Sequence, residues 1–591
     1  MSAVSAGILG AVLLACGGEP SPVELYGYTP EPADGLPQID QALTPLTTAC
    51  SWDSGTGIAL VTVESGETAV IAKRLVDSAV IVNGVACGAA TTTTLKKVSV
   101  VENSSATGDE TVVLDFLNGL FAVGSSAGVG FDIDLGGSGA DTFAIRGSSS
   151  ADRVTLGASG FTTNTDTTLD ITFANIDDIV VTLSGGNDVF SAQGSATAGA
   201  AYTGDNLVVF GGDGNDTLTG GDGDDTINGG AGDDIIAGYA GDDTLNGDAG
   251  SDTFNEGSAS NGADTFNGGA DFDVVDYSAR TGDLTVTTGT VADDGLANEN
   301  DDVTGTVEGV YGGSGNDTLT GDANDNTLKG NGGDDVIDGG DGDDTIDGGN
   351  GDDTFNEGSA SNGADSITCG AGVDTVNYGS RSNALIITMA SGADDGENGE
   401  GDDVKSDCDN LTGGAGNDTI TGNALANTID GGAGNDTLTG GAGNDIFPQG
   451  SADDGSDVIA GGIGNDLVDY SSRTSTLTVT MGDATANDGE SGEGDNIGSD
   501  VEWLDAGSGN DTITGNDADN SINAGAGADT VSGGLGNDEI FGGTGVDTLN
   551  GDAGDDTIDG GGDADVVDCG AGEGDIGFAV ASGGTRVNCE L

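Results

Sequence analysis

The chain has 591 residues, with 12 Lys plus Arg against 103 Asp plus Glu, a formal charge of −91 and no histidine. A field of that sign opposes nucleic acid and anionic membrane surfaces. Without imidazole there is no Ser-His-Asp or Cys-His nucleophile, no HExxH zinc site and no ordinary imidazole acid/base chemistry. With aromatic content of only 4%, so acidic a chain is expected to repel itself and stay largely unfolded until cations are bound.

Met1 to Ala15 is small and apolar and runs into Leu13-Leu14-Ala15-Cys16-Gly17. This resembles a bacterial lipoprotein signal with its lipobox, so residues 1–15 are expected to be removed and Cys16 to become the acylated first residue. An ordinary cleaved signal peptide gives the same export, and the apolar run is too short for a comfortable membrane span. Residues 16–45 hold six of the seven prolines and no convincing periodicity, which reads as an extended linker.

Residues 46–135 are expected to form a β-rich N-terminal region, from runs such as Ile58 to Val63, Val98 to Val101 and Thr111 to Phe116. Residues 136–205 read as a degenerate β-solenoid, in which Gly136 to Phe143 is one intact repeat core and Ser184 to Phe190 a decayed one. Together they are expected to cap the first coil of the regular repeat array that begins near residue 206. Gly124-Ser125-Ser126-Ala127-Gly128 matches GxSxG. With no histidine to serve as base and no helical pattern after it, Ser126 is read as coincidence in a Gly/Ser-rich chain.

From Gly211 to Asn255 the sequence is five unbroken nonapeptides of the form GGxGxDxUx, with U a large apolar residue. The pattern resumes at Gly312 to Thr320, Gly330 to Asn356, Cys369 to Asn377, Gly413 to Thr421, Gly431 to Pro448, Gly461 to Asp469 and Ala506 to Asp568. A fixed period means that each unit cannot bury its apolar residue alone and must stack on its neighbours. The glycine-rich half makes a tight turn and the x-U-x half a short strand with U pointing inward. Stacking then lines up the sixth-position carboxylates, which repel unless a cation lies between them. The row comprises Asp216, Asp225, Asp234, Asp243, Asp252, Asp317, Asp335, Asp344, Asp353, Asp374, Asp418, Asp436, Asp445, Asp466, Asp511, Asp529, Asp538, Asp547, Asp556 and Asp565. Hard oxygen donors with neither imidazole nor thiolate select Ca²⁺.

These nonapeptides resemble the RTX (repeats-in-toxin) calcium-binding repeats. The resemblance implies an all-β fold, an elongated parallel β-roll over residues 206–576, with Ca²⁺ bound between successive turns by the sixth-position Asp and turn carbonyls. Residues 577–591 are expected to form a C-terminal cap.

A longer repeat of about a hundred residues interrupts the roll. Its landmarks are Phe254 to Ser258, Phe355 to Ser359 and Phe447 to Ser451, each followed by a Tyr-x-x-Arg segment: Tyr277 with Arg280, Tyr378 with Arg381, Tyr470 with Arg473. Acid-rich insertions come next, near 277–311, 378–412 and 470–505, and are read either as further calcium sites or as solvated acidic excursions. Each Arg is expected to pair locally with a carboxylate. Alignment of the three copies places Gly268, Cys369 and Gly461 at one position and Val307, Cys408 and Val501 at another. Cysteine enters both positions in one copy alone, which points to a Cys369–Cys408 disulfide. The tail repeats the arrangement as Cys569–Cys589, leaving Cys50–Cys87, and three bridges require an oxidising compartment.

The expected function is a non-enzymatic calcium-folded protein, extracellular or on the outer-membrane surface of a bacterium. It would act as an adhesin, surface-layer component or scaffold, with calcium as its cofactor and surface polysaccharide, another cell or itself as further partners. No nucleic acid is expected, and a membrane only through the N-terminal lipid. The competing reading is a secreted hydrolase or polysaccharide-acting enzyme, which would need a carboxylate pair within residues 48–205.

Overall fold

The computed structural model describes residues 49–589 apart from 55–57, 64–66, 74–78, 83–84, 92–96, 103–108, 117–129, 137–139, 164–169, 290–291, 391 and 579–583. Cys16, the linker and Ser126 lie outside the described residues. Every helix or strand among the described residues is a β-strand, and the chain forms two compact units. The first ends at Arg280 and takes in Thr288–Val310; the second comprises Thr281–Thr287 and the chain from Tyr311 onward.

In the first unit the nonapeptides build a parallel β-roll. Thr217–Thr219, Ile235–Ala237, Thr253–Asn255 and Val274–Asp276 stack in parallel on one face. On the other stand Leu207–Asp213, Asp225–Ala231, Thr244–Ala249 and Thr265–Ala270. Each coil therefore takes two nonapeptides, and equivalent residues recur 18 apart. The U residues fill the space between the faces: Leu218, Ile236 and Phe254 meet Val209, Ile227 and Leu245, all at 0% exposure. No aromatic surplus is needed, because each coil buries one apolar side chain per face and stacking makes the core continuous. At the second and fourth positions glycine is required by conformation. Gly212 and Gly214 have φ of 110° and 127°, and a Cβ on either would collide with a carbonyl of the coil beneath.

The same parallel sheet runs back through Asp178–Gly185, Thr142–Arg146 and Thr111–Asp115 to Thr68–Lys73. Antiparallel pairs flank its start, Ala49–Asp53 with Ile58–Val63 and Ala79–Val82 with both Thr68–Lys73 and Val85–Thr91. Cys50 is bonded to Cys87.

In the second unit one face is a parallel stack from Thr318–Thr320 to Ile576–Phe578. The opposite face is divided into blocks, starting at Thr327–Gly332, Leu385–Thr388 and Thr478–Thr480. Two insertions explain the division. In the one near 378–412 the chain turns at Tyr378, where the Arg381 N–H donates to the Tyr378 carbonyl at 2.8 Å. It then runs through Leu385–Thr388, doubles back at Gly396–Glu397, and rejoins the roll as Asp403–Val404 beside Ser366–Ala371. The Cys369–Cys408 disulfide closes this excursion, and Cys569–Cys589 closes the last coil.

Candidate metal centres

The turn geometry places the sixth-position aspartates in rows, sorted alternately because two nonapeptides make a coil. Asp216, Asp234 and Asp252 form one row; Asp225 and Asp243 form another. In the second unit the rows are Asp317, Asp335, Asp353 and Asp374; Asp344; Asp418 and Asp436; Asp445 and Asp466; Asp511, Asp529, Asp547 and Asp565; and Asp538 and Asp556. All twenty are at most 2% exposed. The rows are thus interior to the turns.

The two oxygens of each carboxylate have different environments. Oδ1 accepts a backbone N–H from the coil before: the Asp216 N–H donates to Asp234 Oδ1 at 2.7 Å, and the Asp234 N–H to Asp252 Oδ1 at 2.7 Å. Oδ2 of Asp216, Asp234, Asp252, Asp335 and most of the others is buried with no hydrogen-bond partner in the protein. It stands at the first glycine of its own turn, beside a carbonyl of the next coil in the row. A Cβ at Gly211 would collide with both Asp216 Oδ2 and the Gly229 carbonyl oxygen, and one at Gly330 with Asp335 Oδ2 and the Gly348 oxygen. Two electron-rich oxygens therefore converge in a cradle that glycine leaves open, and while the acid is ionised neither can donate a hydrogen bond to the other.

Burial pushes these acids up. Asp216 is raised to about 6, Asp234 to about 7 and Asp225 to about 8, with neighbouring aspartates adding to the desolvation for Asp234 and Asp225. A cation in the cradle would remove both penalties, and carboxylate with carbonyl oxygens is the donor set that suits Ca²⁺. Asp225, Asp317 and Asp418 differ: their Oδ2 atoms accept the N–H of Gly221, Gly313 and Gly414 at 2.6, 2.7 and 2.9 Å, and in Asp225 it is Oδ1 that has no partner.

The rows also contain residues that the GGxGxDxUx pattern misses. Asp264 and Asp301 extend the Asp225–Asp243 row, and Asp273 extends the Asp216 row. Asp365 and Asp402, Asp457 and Asp495, and Asp575 do the same in the second unit. Most kept a shorter signal, an acid two residues before an inward apolar residue, as in Asp301-Asp302-Val303 and Asp495-Asn496-Ile497. Asn326, Asn427 and Asn520 occupy the sixth position soon after insertions. There the Nδ2 groups of Asn427 and Asn520 donate to the Asp409 and Glu502 carbonyls at 2.8 and 3.2 Å. The fifth position builds an opposed outer ladder, in which the Asp242 N–H donates to Asp224 Oδ1 at 2.9 Å and the Ser251 N–H to Asp233 Oδ1 at 3.1 Å.

The insertions are not solvated excursions. Arg280, at 0% exposure, donates to Glu256 Oε2 at 3.1 Å and Glu299 Oε1 at 3.0 Å, and its Nε to the Glu256 carbonyl at 3.0 Å. Arg381 reaches Glu400 at 2.9 Å, and Arg473 reaches Glu493 at 2.6 Å and Asp454 at 2.8 Å. The local pairing of each Arg is present, and it is buried where a surface pair would be the ordinary case. Each Arg also lies over the ring of its Tyr, at 5.7, 5.6 and 5.7 Å.

The family model for the RTX calcium-binding nonapeptide repeat matches residues 208–236, 219–254, 258–276, 311–346, 320–355, 412–447, 451–472, 498–531, 505–540, 532–567 and 541–576. None of the curated proteins compared with the chain matches it.

Proposed function

We propose that this chain, which carries RTX calcium-binding nonapeptide repeats in many copies, is a non-enzymatic protein that works outside the cell as a surface adhesin, surface-layer component or scaffold, folded by the Ca²⁺ its repeats bind. The ligands are the sixth-position aspartates with the glycine carbonyls beside them. The observation that carries this is the repeated cradle: a buried carboxylate oxygen with no partner facing a carbonyl oxygen, in coil after coil. Calcium supplies the positive charge that lets these oxygens stay ionised in the interior. The chain supplies rigid turns, the N–H ladder that orients each carboxylate, and the glycines that leave room. Single extracellular calcium modules bind at about 10⁻⁴ to 10⁻³ M. Here each ion would fix two turns, so binding is cooperative.

Export is supported by the three disulfides, which persist in oxidising compartments, and by the usual extracellular setting of RTX proteins. Cys16 is the residue we assign to a lipid anchor. Surface polysaccharide, another cell or a second copy of the chain would be the partner.

The test is protease treatment of intact cells expressing the chain. In millimolar Ca²⁺ the roll should be reachable by antibody and resistant to cleavage, and EDTA should make it rapidly cleaved. A chain shielded in both conditions is not on the surface, and one cut equally in both is not folded by calcium.

A further inference from the structure

Two of the insertions bury more negative charge than their arginine can balance. In the first, Glu256, Asp264, Glu299 and Asp301 are between 0 and 4% exposed around a single guanidinium. Their hydrogen bonds are largely complete. Asp301 takes the Asp264 N–H on Oδ1 and the Tyr277 hydroxyl on Oδ2, both at 3.0 Å. Glu299 takes Arg280 on both oxygens and the Leu296 N–H at 2.8 Å. Glu256 receives Arg280 and Asn261 on Oε2, but its Oε1, buried in a residue 1% exposed, has no hydrogen-bond partner. The second insertion repeats this. Glu357, 1% exposed, leaves Oε1 without a partner beside Asp365 and Asp402, and the Tyr378 hydroxyl donates to Asp402 Oδ2 at 2.9 Å.

One ligand oxygen from each of Glu256, Glu299 and Asp301 lies within 4.8 Å of the others, and the same holds for Glu357, Asp365 and Asp402. We propose that each of these triads binds one hard divalent cation, Ca²⁺ in an extracellular setting, at a site formed where the insertion meets the end of an aspartate row and distinct from the carboxylate-and-carbonyl cradles. Glu256, Glu299 and Glu357 lie outside the GGxGxDxUx pattern, while Asp301, Asp365 and Asp402 continue its rows, so substitution at the glutamates tests these sites without altering a nonapeptide cradle. An unpartnered carboxylate oxygen amid like charge needs a positive partner, and oxygen-only donors favour calcium over a softer metal. The rival occupant is a proton shared between acids, for which the Glu357–Asp365 contact provides a place.

The third insertion provides a comparison inside the same molecule. Gln449 stands where the others have Glu256 and Glu357, and Asp454, 14% exposed on its side chain, stands where they have Asn261 and Asn362. The acid has moved outward to Arg473 and the unpartnered oxygen belongs to a neutral amide. A glutamine at this position is therefore compatible with the fold.

The experiment uses the full chain with terbium(III), a hard oxygen-seeking ion, as probe. Tyr277 and Tyr378 each donate to a triad carboxylate, so excitation of tyrosine should pass to terbium held there. In Glu256→Gln/Glu357→Gln, tyrosine-excited terbium emission should fall roughly by half or more, and calcium counted by equilibrium dialysis should fall by two per chain. In Tyr277→Phe/Tyr378→Phe the emission should fall while the calcium count stays. Emission or calcium count unchanged in the glutamine variant overturns the proposal, as does undiminished emission in the phenylalanine variant, which serves even if the glutamine variant fails to fold. A proton as occupant would appear as an unchanged calcium count.

Discussion

Asp234 has a separate task on each oxygen: Oδ1 accepts the Asp216 N–H, and Oδ2 faces the cradle at Gly229. Asparagine can keep the first task and lose the second, and Asn427 and Asn520 show that the stack tolerates an amide at this position. Asp234→Asn should therefore still fold at saturating Ca²⁺, with fewer ions bound and a higher calcium midpoint in a circular-dichroism titration. Asp234→Ala also strands the Asp216 N–H in the interior, at a further cost of about 1–3 kcal/mol. Equal midpoints for the two variants would show that charge alone matters and the ladder does not. That an aspartate recurs every nine residues is legible in the sequence; that its two oxygens are inequivalent is not, because the donor comes from a residue 18 positions earlier.

At the level of the element, the insertions behave as a second kind of coil. Their Tyr-x-x-Arg landmark could be read from internal repetition. Their interior could not, since an acid-rich loop reads as solvent-exposed until Arg, Tyr and the returning Asp-x-Val strand are brought together. The cysteines are the exception: comparing copies located Cys369 and Cys408 opposite each other, and the structure joins them. The first and third copies keep the same packing with Gly268 and Val307, or Gly461 and Val501, in those places. Cys369→Ser/Cys408→Ser should therefore fold but lose about 2–4 kcal/mol, chiefly through the freed chain entropy of the unfolded state. Urea unfolding at saturating calcium would measure the loss, and limited proteolysis should first cut within 378–412. Equal urea midpoints, or first cleavage elsewhere, would contradict a role for the bridge in holding this insertion.

For the whole molecule the dominant quantity is the charge of −91. Folding raises the buried aspartates from 3.8 toward about 6 for Asp216, 7 for Asp234 and Asp335, and 8 for Asp225. In EDTA the folded state therefore binds more protons than the unfolded chain across that interval. The stability these groups allow is complete below the unfolded value of 3.8 and is lost as pH rises through the folded values, up to about 8 for Asp225. Circular dichroism in EDTA should show β structure growing as pH falls from about 8 to about 5, and calcium added at about pH 5, where the protonated folded form is populated, should release protons. A calcium-free spectrum that does not change over this range would mean that carboxylate repulsion is not what keeps the chain open.

The sequence by itself determined the period, the stacking, the inward apolar residue of each repeat and the oxygen-only donor set that suits calcium, and the resemblance to RTX repeats implied the parallel roll. It could do so because each coil is local, and nine residues contain both the turn and the strand. The tertiary structure decided what depends on residues brought together from different coils. It alternates the aspartates between two rows, buries them, pairs all but Asp225 with a distant N–H, and joins Arg280, Glu256, Glu299 and Asp301 from across the first insertion. Those contacts arise from stacking and chain return, which a linear pattern does not encode.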